Sequence, residues 1–142
     1  MLFDNLIGAL EDFQRNTDEI VISVAADQAN LIAELNEERI GEDNMFLSGA
    51  FITPDYLKST QKRKGFKTPD LYETGAFLSD ITVEIIGDSL RVYSRDRKYE
   101  QGLISKYEKD GDLFGLSESG KDIVANAMMP DLINEFRKIV FA

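Results

Sequence analysis

Ile81-Thr82-Val83-Glu84-Ile85-Ile86-Gly87-Asp88-Ser89-Leu90-Arg91-Val92-Tyr93-Ser94-Arg95 is the stretch whose reading decides the fold. Ile81, Val83 and Ile85 alternate with Thr82 and Glu84, the period of two that sets apolar side chains on one face of a strand. Gly87-Asp88-Ser89 turns the chain, and Leu90, Val92 and Ser94 then alternate with Arg91, Tyr93 and Arg95. Two such runs joined by a short Gly-containing turn read as a β-hairpin. Helical patterns lie on both sides of it. The expected class is therefore α+β, with N-terminal helices and a C-terminal helix packed on a small antiparallel sheet containing this central hairpin.

Working back from the hairpin, Gly75 is read as the tight turn from a helical turn into the first strand, with Phe77, Leu78 and Ile81 under the sheet. Thr68-Pro69-Asp70 has a capping residue before a proline, which predicts a turn of helix carrying Leu71 and Tyr72 up to Gly75. Thr53-Pro54-Asp55 repeats that pattern and predicts a short helix from Pro54 to about Lys64. Between Gly41 and Phe66 the apolar residues Met45, Phe46, Leu47, Phe51 and Ile52 lack a clean period. Residues 41–67 thus read as an extended assembly loop, a segment that orders against a partner. Further upstream, Leu2, Phe3, Leu6, Ile7, Leu10 and Phe13 have helical spacing. Asn16, with Glu19 three positions on, resembles a capping box; a long helix follows from Asp18 to about Ile40, ended by Gly41, and Asn16-Thr17 reads either as a break from the first helix or as a bend.

Working forward, Tyr99, Leu103, Ile104 and Tyr107 fit helical spacing better than a strand. Asp110-Gly111-Asp112 is a turn, and Leu113-Phe114 a short strand. Ser117 or Ser119 caps a last helix reaching about Phe141. Its inward stripe is Ile123, Val124, Ala127, Leu132, Ile133, Phe136, Ile139 and Val140, and Pro130 should kink or split it. The whole reads as a single domain, 1–142: an acidic helical part over 1–40, the assembly loop 41–67, and the sheet with the C-terminal helix over 68–142.

At 142 residues, 43% hydrophobic and 30% charged, the chain is long enough for a real core and too apolar for general disorder. No apolar run approaches the ~20 residues of a membrane span, and Asp4 interrupts the apolar start that a secretory signal needs. Synthesis in the cytoplasm is the expectation. The sequence holds no cysteine and no histidine. That removes thiol nucleophiles, disulfides, the commonest general base and the commonest transition-metal ligands, so no catalytic residue, metal or cofactor is expected. The net charge of −10 argues against sequence-specific nucleic-acid binding. It is unevenly spread: residues 1–50 carry 11 acidic and 2 basic side chains, residues 51–100 carry 8 and 9, and residues 101–142 carry 7 and 5. Unlike surfaces on one chain suit contacts between neighbouring copies.

The basic cluster Lys58, Lys62, Arg63, Lys64 and Lys67, with Phe66 beside it, contains no acidic residue between its ends. It reads as a protein-interaction surface for an acidic neighbour, and reversing Lys62, Arg63 and Lys64 to Glu is expected to abolish assembly. Tyr56 and Phe66 are too few to make a base-stacking platform. Asp110 and Asp112 lack the further ligand spacing of a calcium loop. Asp70, Glu73 and Asp80 show nothing that would raise a pKa for acid–base work, and Asp70 is read as a first-turn carboxylate on a helix dipole.

Lys64-Gly65-Phe66, then Pro69-Asp70-Leu71-Tyr72-Glu73-Thr74-Gly75-Ala76-Phe77, then the apolar strands, then Leu113-Phe114-Gly115-Leu116-Ser117 and a terminal helix resemble the tail-completion or head–tail joining proteins of tailed phages. The most recognisable piece is Leu71 to Gly75 followed by the hairpin, and the resemblance covers roughly residues 53–142. Residues 93–110 have no counterpart in it. It implies a structural subunit of the virion, a neck or tail-completion ring joining portal to tail. Its partners would be its own copies in a homo-oligomeric ring, the portal or connector, and tail-tube or tail-terminator proteins, with DNA passing through the ring. Two other classes stay open: an acidic regulatory module that mimics DNA for a basic partner, and a carboxylate-dependent hydrolase.

Overall fold

The computed structural model describes residues 2–72, 75–87, 89–102 and 104–141. The hairpin forms as read. Strand β1 (Ile81–Ile86) pairs antiparallel with β2 (Ser89–Ser94), in the register Ile81↔Ser94 through Ile86↔Ser89. That register leaves two residues for the turn, and Gly87 supplies the positive φ of 61° that such a turn requires; Asp88 lies outside the described residues. Pairing puts Ile81, Val83, Val92 and Ser94 on one face, toward the helices. Glu84, Arg91 and Tyr93 share the other face, where Arg91 lies 3.3 Å from Glu84 and the Tyr93 hydroxyl donates to it at 3.1 Å.

Helices cover the inner face. Helix α1 is one element from Leu2 to Ala26, so of the two readings of Asn16-Thr17 the break is ruled out. The apolar stripe runs on through Ile20 and Val24, so burial carries the helix past the capping pattern. Asn16 Nδ2 donates instead to the Asp12 carbonyl of its own helix. The break falls at Asp27–Gln28, and α2 (Ala29–Glu38) leads directly into a π-helical turn, Arg39–Asp43. That turn ends on Asn44 in the left-handed conformation, φ 57°, rather than on Gly41. Gly41 has a packing reason to be glycine: an added Cβ would lie 2.8 Å from Leu78 Cδ1.

The connection that follows is held by its own chain. Met45 and Phe51 form a β-bridge, and Phe46 and Ile52 are buried in the core. Helix α3 spans only Lys58–Lys64, later than the expected start at Pro54, because residues 54–57 are committed elsewhere. The Tyr56 N–H donates to the Lys67 carbonyl at 2.9 Å and closes α3 into a loop. No helical turn forms at 68–72. Leu71 has φ 56°, and the N–H groups of Asp70 and Leu71 are taken by the Tyr56 hydroxyl. The short helix α4 (Ala76–Ser79) comes after Gly75, with Gly75 at φ 85° as its cap, so the glycine opens a helical turn where the sequence suggested it closes one. Glu73 and Thr74 lie outside the described residues.

Past the hairpin, α5 (Arg97–Glu100) and α6 (Ser105–Glu108) agree with the helical reading, divided at Gly102; Leu103 is outside the described residues. Leu113-Phe114 forms no strand. Leu113 is buried, and the Phe114 ring packs on Phe77 and edge-on to Tyr99 at 5.4 Å. Helix α7 (Glu118–Val140) starts where Ser117 Oγ accepts the Gly120 N–H, as expected of a cap. Pro130 does not divide it. Pro130 and Asn126 both lie on the exposed side, so the carbonyl that a proline leaves without its helical partner is not sealed in the core. The inward stripe is narrower than predicted. Gly120, Val124 and Met128 are buried with Leu132 beside them, while Ile123 and Ile133 are 47% and 43% exposed.

Two clusters of buried side chains result. One, around Ile40, Phe46, Ile52, Phe77, Leu78 and Leu113, fills the space between the π-turn, the loops and the hairpin. The other joins α1, α2 and α7 through Val24, Ile32, Val124 and Met128. Val92 packs against both, so the hairpin binds the halves together. Among the described residues no helix is long and apolar enough to cross a membrane.

Candidate protein-interaction site

The six residues expected to form an interaction surface separate into two groups. Lys64 turns inward. Its ammonium lies 2.7 Å from Asp70 Oδ1 and also donates to the Tyr72 carbonyl. It sits 5.1 Å from the centre of the Tyr56 ring and 5.7 Å from that of Phe66. With side chains only 10% and 16% exposed, Lys64 and Asp70 form a largely buried pair. Tyr56 completes the knot. Its hydroxyl donates to Asp70 Oδ1 at 2.7 Å while accepting the N–H groups of Asp70 and Leu71. Asp70 Oδ1 also accepts the Tyr72 N–H at 3.1 Å, and Gln61 donates to the Tyr56 carbonyl.

The electrostatics follow from these contacts. Burial alone would push the Asp70 carboxyl up, but the hydrogen bonds from Lys64, Tyr56 and the Tyr72 N–H outweigh it and hold the group below its ordinary value. Burial, and then the adjacent Asp70 carboxylate, raises the Tyr56 phenol. Asp70 is thus an ionised structural partner of Lys64, not a first-turn carboxylate on a helix. Such a charge reversal as Lys64→Glu would set two carboxylates against each other, so it tests folding as much as assembly.

The remaining members point outward. Lys58 and Lys62 are one helical turn apart on the face of α3 opposite Lys64, and Arg63 and Lys67 are also exposed. Phe66 leaves 43% of its surface in water, and Leu57, just before the helix, leaves 75%. The sequence reading missed Leu57, the more exposed of the two apolar side chains beside these cations. Its only signal is an aliphatic residue directly preceding a basic amphipathic turn.

A second constellation was also missed. Asn36 is fully buried. Its Nδ2 donates to the Ile32 carbonyl, and its Oδ1 accepts from Arg39 at 2.8 Å and from the Gly115 N–H at 2.9 Å. Arg39 reaches on to the carbonyls of Met45 and Leu113. Burial pushes its pKa down to about 10, partly offset by Asp43. The pair ties α2, the bridge loop and the segment before α7 into one unit. A polar Asn and Arg three apart on an acidic helix carry no motif; only the fold brings their partners 74 and 79 residues away into reach.

Asp110 accepts a hydrogen bond from Thr53 at 2.9 Å, and Asp80 lies exposed beside the first strand. Among the described residues, no three acidic side chains gather as a metal site would require. Compared with known proteins, the chain matches no family model, no curated protein and no solved structure.

Proposed function

We propose that this chain is a structural subunit of a tailed-phage virion, a head–tail connector or tail-completion protein that assembles as a ring between portal and tail. The single observation that carries the reading is the stretch from Lys64 to Phe77. Its sequence resembles that family, and two of its residues, Lys64 and Asp70, form with Tyr56 a hydrogen-bonded knot that holds an exposed basic helix in place. A knot of this kind fixes a docking surface. Three donors converge on one carboxylate oxygen, and nothing in that arrangement leaves a group to turn over a substrate. The solvent-exposed apolar side chains around it, Leu57, Phe66 and Tyr72, have the character of interface anchors.

The experiment is compositional. Particles purified from a producing host and analysed by mass spectrometry should contain this chain in a fixed small multiple per particle, and particles lacking it should hold filled heads without tails. Its absence from mature particles and from every assembly intermediate overturns the reading.

A further inference from the structure

On the far side of the knot from Lys58 and Lys62, helix α2 and the π-turn present a groove of about 400 Å³. Glu34, Glu37, Glu38 and Glu42 line it together with Gly41 and Leu78. The glutamates follow the i, i+3, i+4, i+8 spacing of one helical face. None of the four is paired with a cation among the described residues, and no lysine or arginine lines the groove. Lys58 and Lys62 likewise have no carboxylate partner there. Among the described residues no ion pair joins the two surfaces within one chain. Lys64 anchors α3 to Asp70 and Tyr72, at the groove's edge, by the face of the helix opposite Lys58 and Lys62.

We propose that the groove is the socket for a second copy of this chain, filled by Leu57 with Lys58 and Lys62 around it. Three features of the surfaces match. The charges are opposite and, among the described residues, unpaired. Lys58 and Lys62 are four residues apart on a helix, as are Glu34 and Glu38, so both sets of charges repeat at about 6 Å along their axes. The groove's volume, several times that of one aliphatic side chain, has room for Leu57 together with the lysine stems, and its apolar lining, Leu78 and Gly41, is where Leu57 would come to rest. Knob and socket are different surfaces, so the contact is heterologous and closes into a ring when the rotation per copy divides a full turn. It deepens the proposed connector role and rests on that role only in requiring self-association.

The test uses the whole chain at low ionic strength, with mass measured by sedimentation over rising protein concentration. Wild type should associate, and more weakly as salt is added. Lys58→Glu with Lys62→Glu, and separately Glu34→Lys with Glu38→Lys, should each weaken association about tenfold or more, and an equimolar mixture of the two should recover it. All four positions are exposed, so unchanged thermal melts establish that the variants fold. Because the chain has no cysteine, Leu57→Cys mixed with Glu38→Cys gives a second readout: an interchain disulfide on mild oxidation, absent when Ser48→Cys replaces the groove position. A wild type that stays monomeric at millimolar concentration, or an assembly indifferent to both reversals and forming no such disulfide, overturns the contact. The connector role stands or falls separately, on the composition of particles.

Discussion

Lys64 shows how one side chain can change its meaning once its neighbours are known. As part of a run of cations it looks like surface; in the fold it is the counter-ion of a buried carboxylate. Removing it by Lys64→Met leaves Asp70 charged and short of a partner, and should cost about 2–4 kcal/mol in urea unfolding. Lys62→Met, two residues away and exposed, should stay within about 0.5 kcal/mol of wild type. The pair also carries a pH signature. Asp70 binds its proton less tightly in the folded chain than in the unfolded one, so its contribution is complete above the ordinary carboxyl value of 3.8 and is lost as pH falls through the lower folded value. Asp70→Asn should therefore lower Tm most at neutral pH, and the gap to wild type should narrow below about pH 4. Asn36 behaves similarly without charge. Asn36→Leu leaves the Gly115 N–H unpaired and takes one of three acceptors from the Arg39 guanidinium, and should cost about 2–3 kcal/mol.

At the scale of elements, α7 offers a contrast between a good start and a poor middle. Ser117→Ala removes the hydroxyl that accepts the Gly120 N–H and should cost about 1 kcal/mol. Pro130→Ala should do the opposite, restoring a backbone hydrogen bond on the exposed side and raising stability by about 1–3 kcal/mol. Thermal melts of the two variants check both signs at once. The helix keeps its length despite the proline because α1 and α2 hold its buried stripe, Gly120 through Met128 to Leu132. Burial along one narrow face also explains why Ile123 and Ile133 remain in water.

At the scale of the molecule, the two buried clusters are not independent. Val92 touches both, and the Asn36–Arg39 hydrogen bonds join α2 to the loops on either side. Unfolding should be a single calorimetric transition, with Val92→Ala lowering its midpoint and leaving it single. Two resolved peaks would show that the clusters melt apart. Gly111 marks the tightest point of this assembly, where a Cβ would stand 2.7 Å from the Phe46 ring. Gly111→Ala should consequently cost about 1–3 kcal/mol, since a buried ring has little room to yield.

The hairpin, the Ser117 cap, the turn at Asp110–Asp112 and the helical character of the first forty residues were legible from spacing alone, because each depends on neighbours within a few positions. The α+β class followed from them. Tertiary structure alone decided where α1 ends, that residues 45–52 feed the core, that Lys64 faces in while Lys58 and Lys62 face out, and that Asn36 is a hub. In each case the deciding partner is distant in sequence or competes with a local signal. Capping motifs at Asn16, Pro54 and Pro69 lost to burial and to hydrogen bonds from Tyr56, since a local cap is worth only about 1 kcal/mol and a packed stripe or a charged knot is worth several times that.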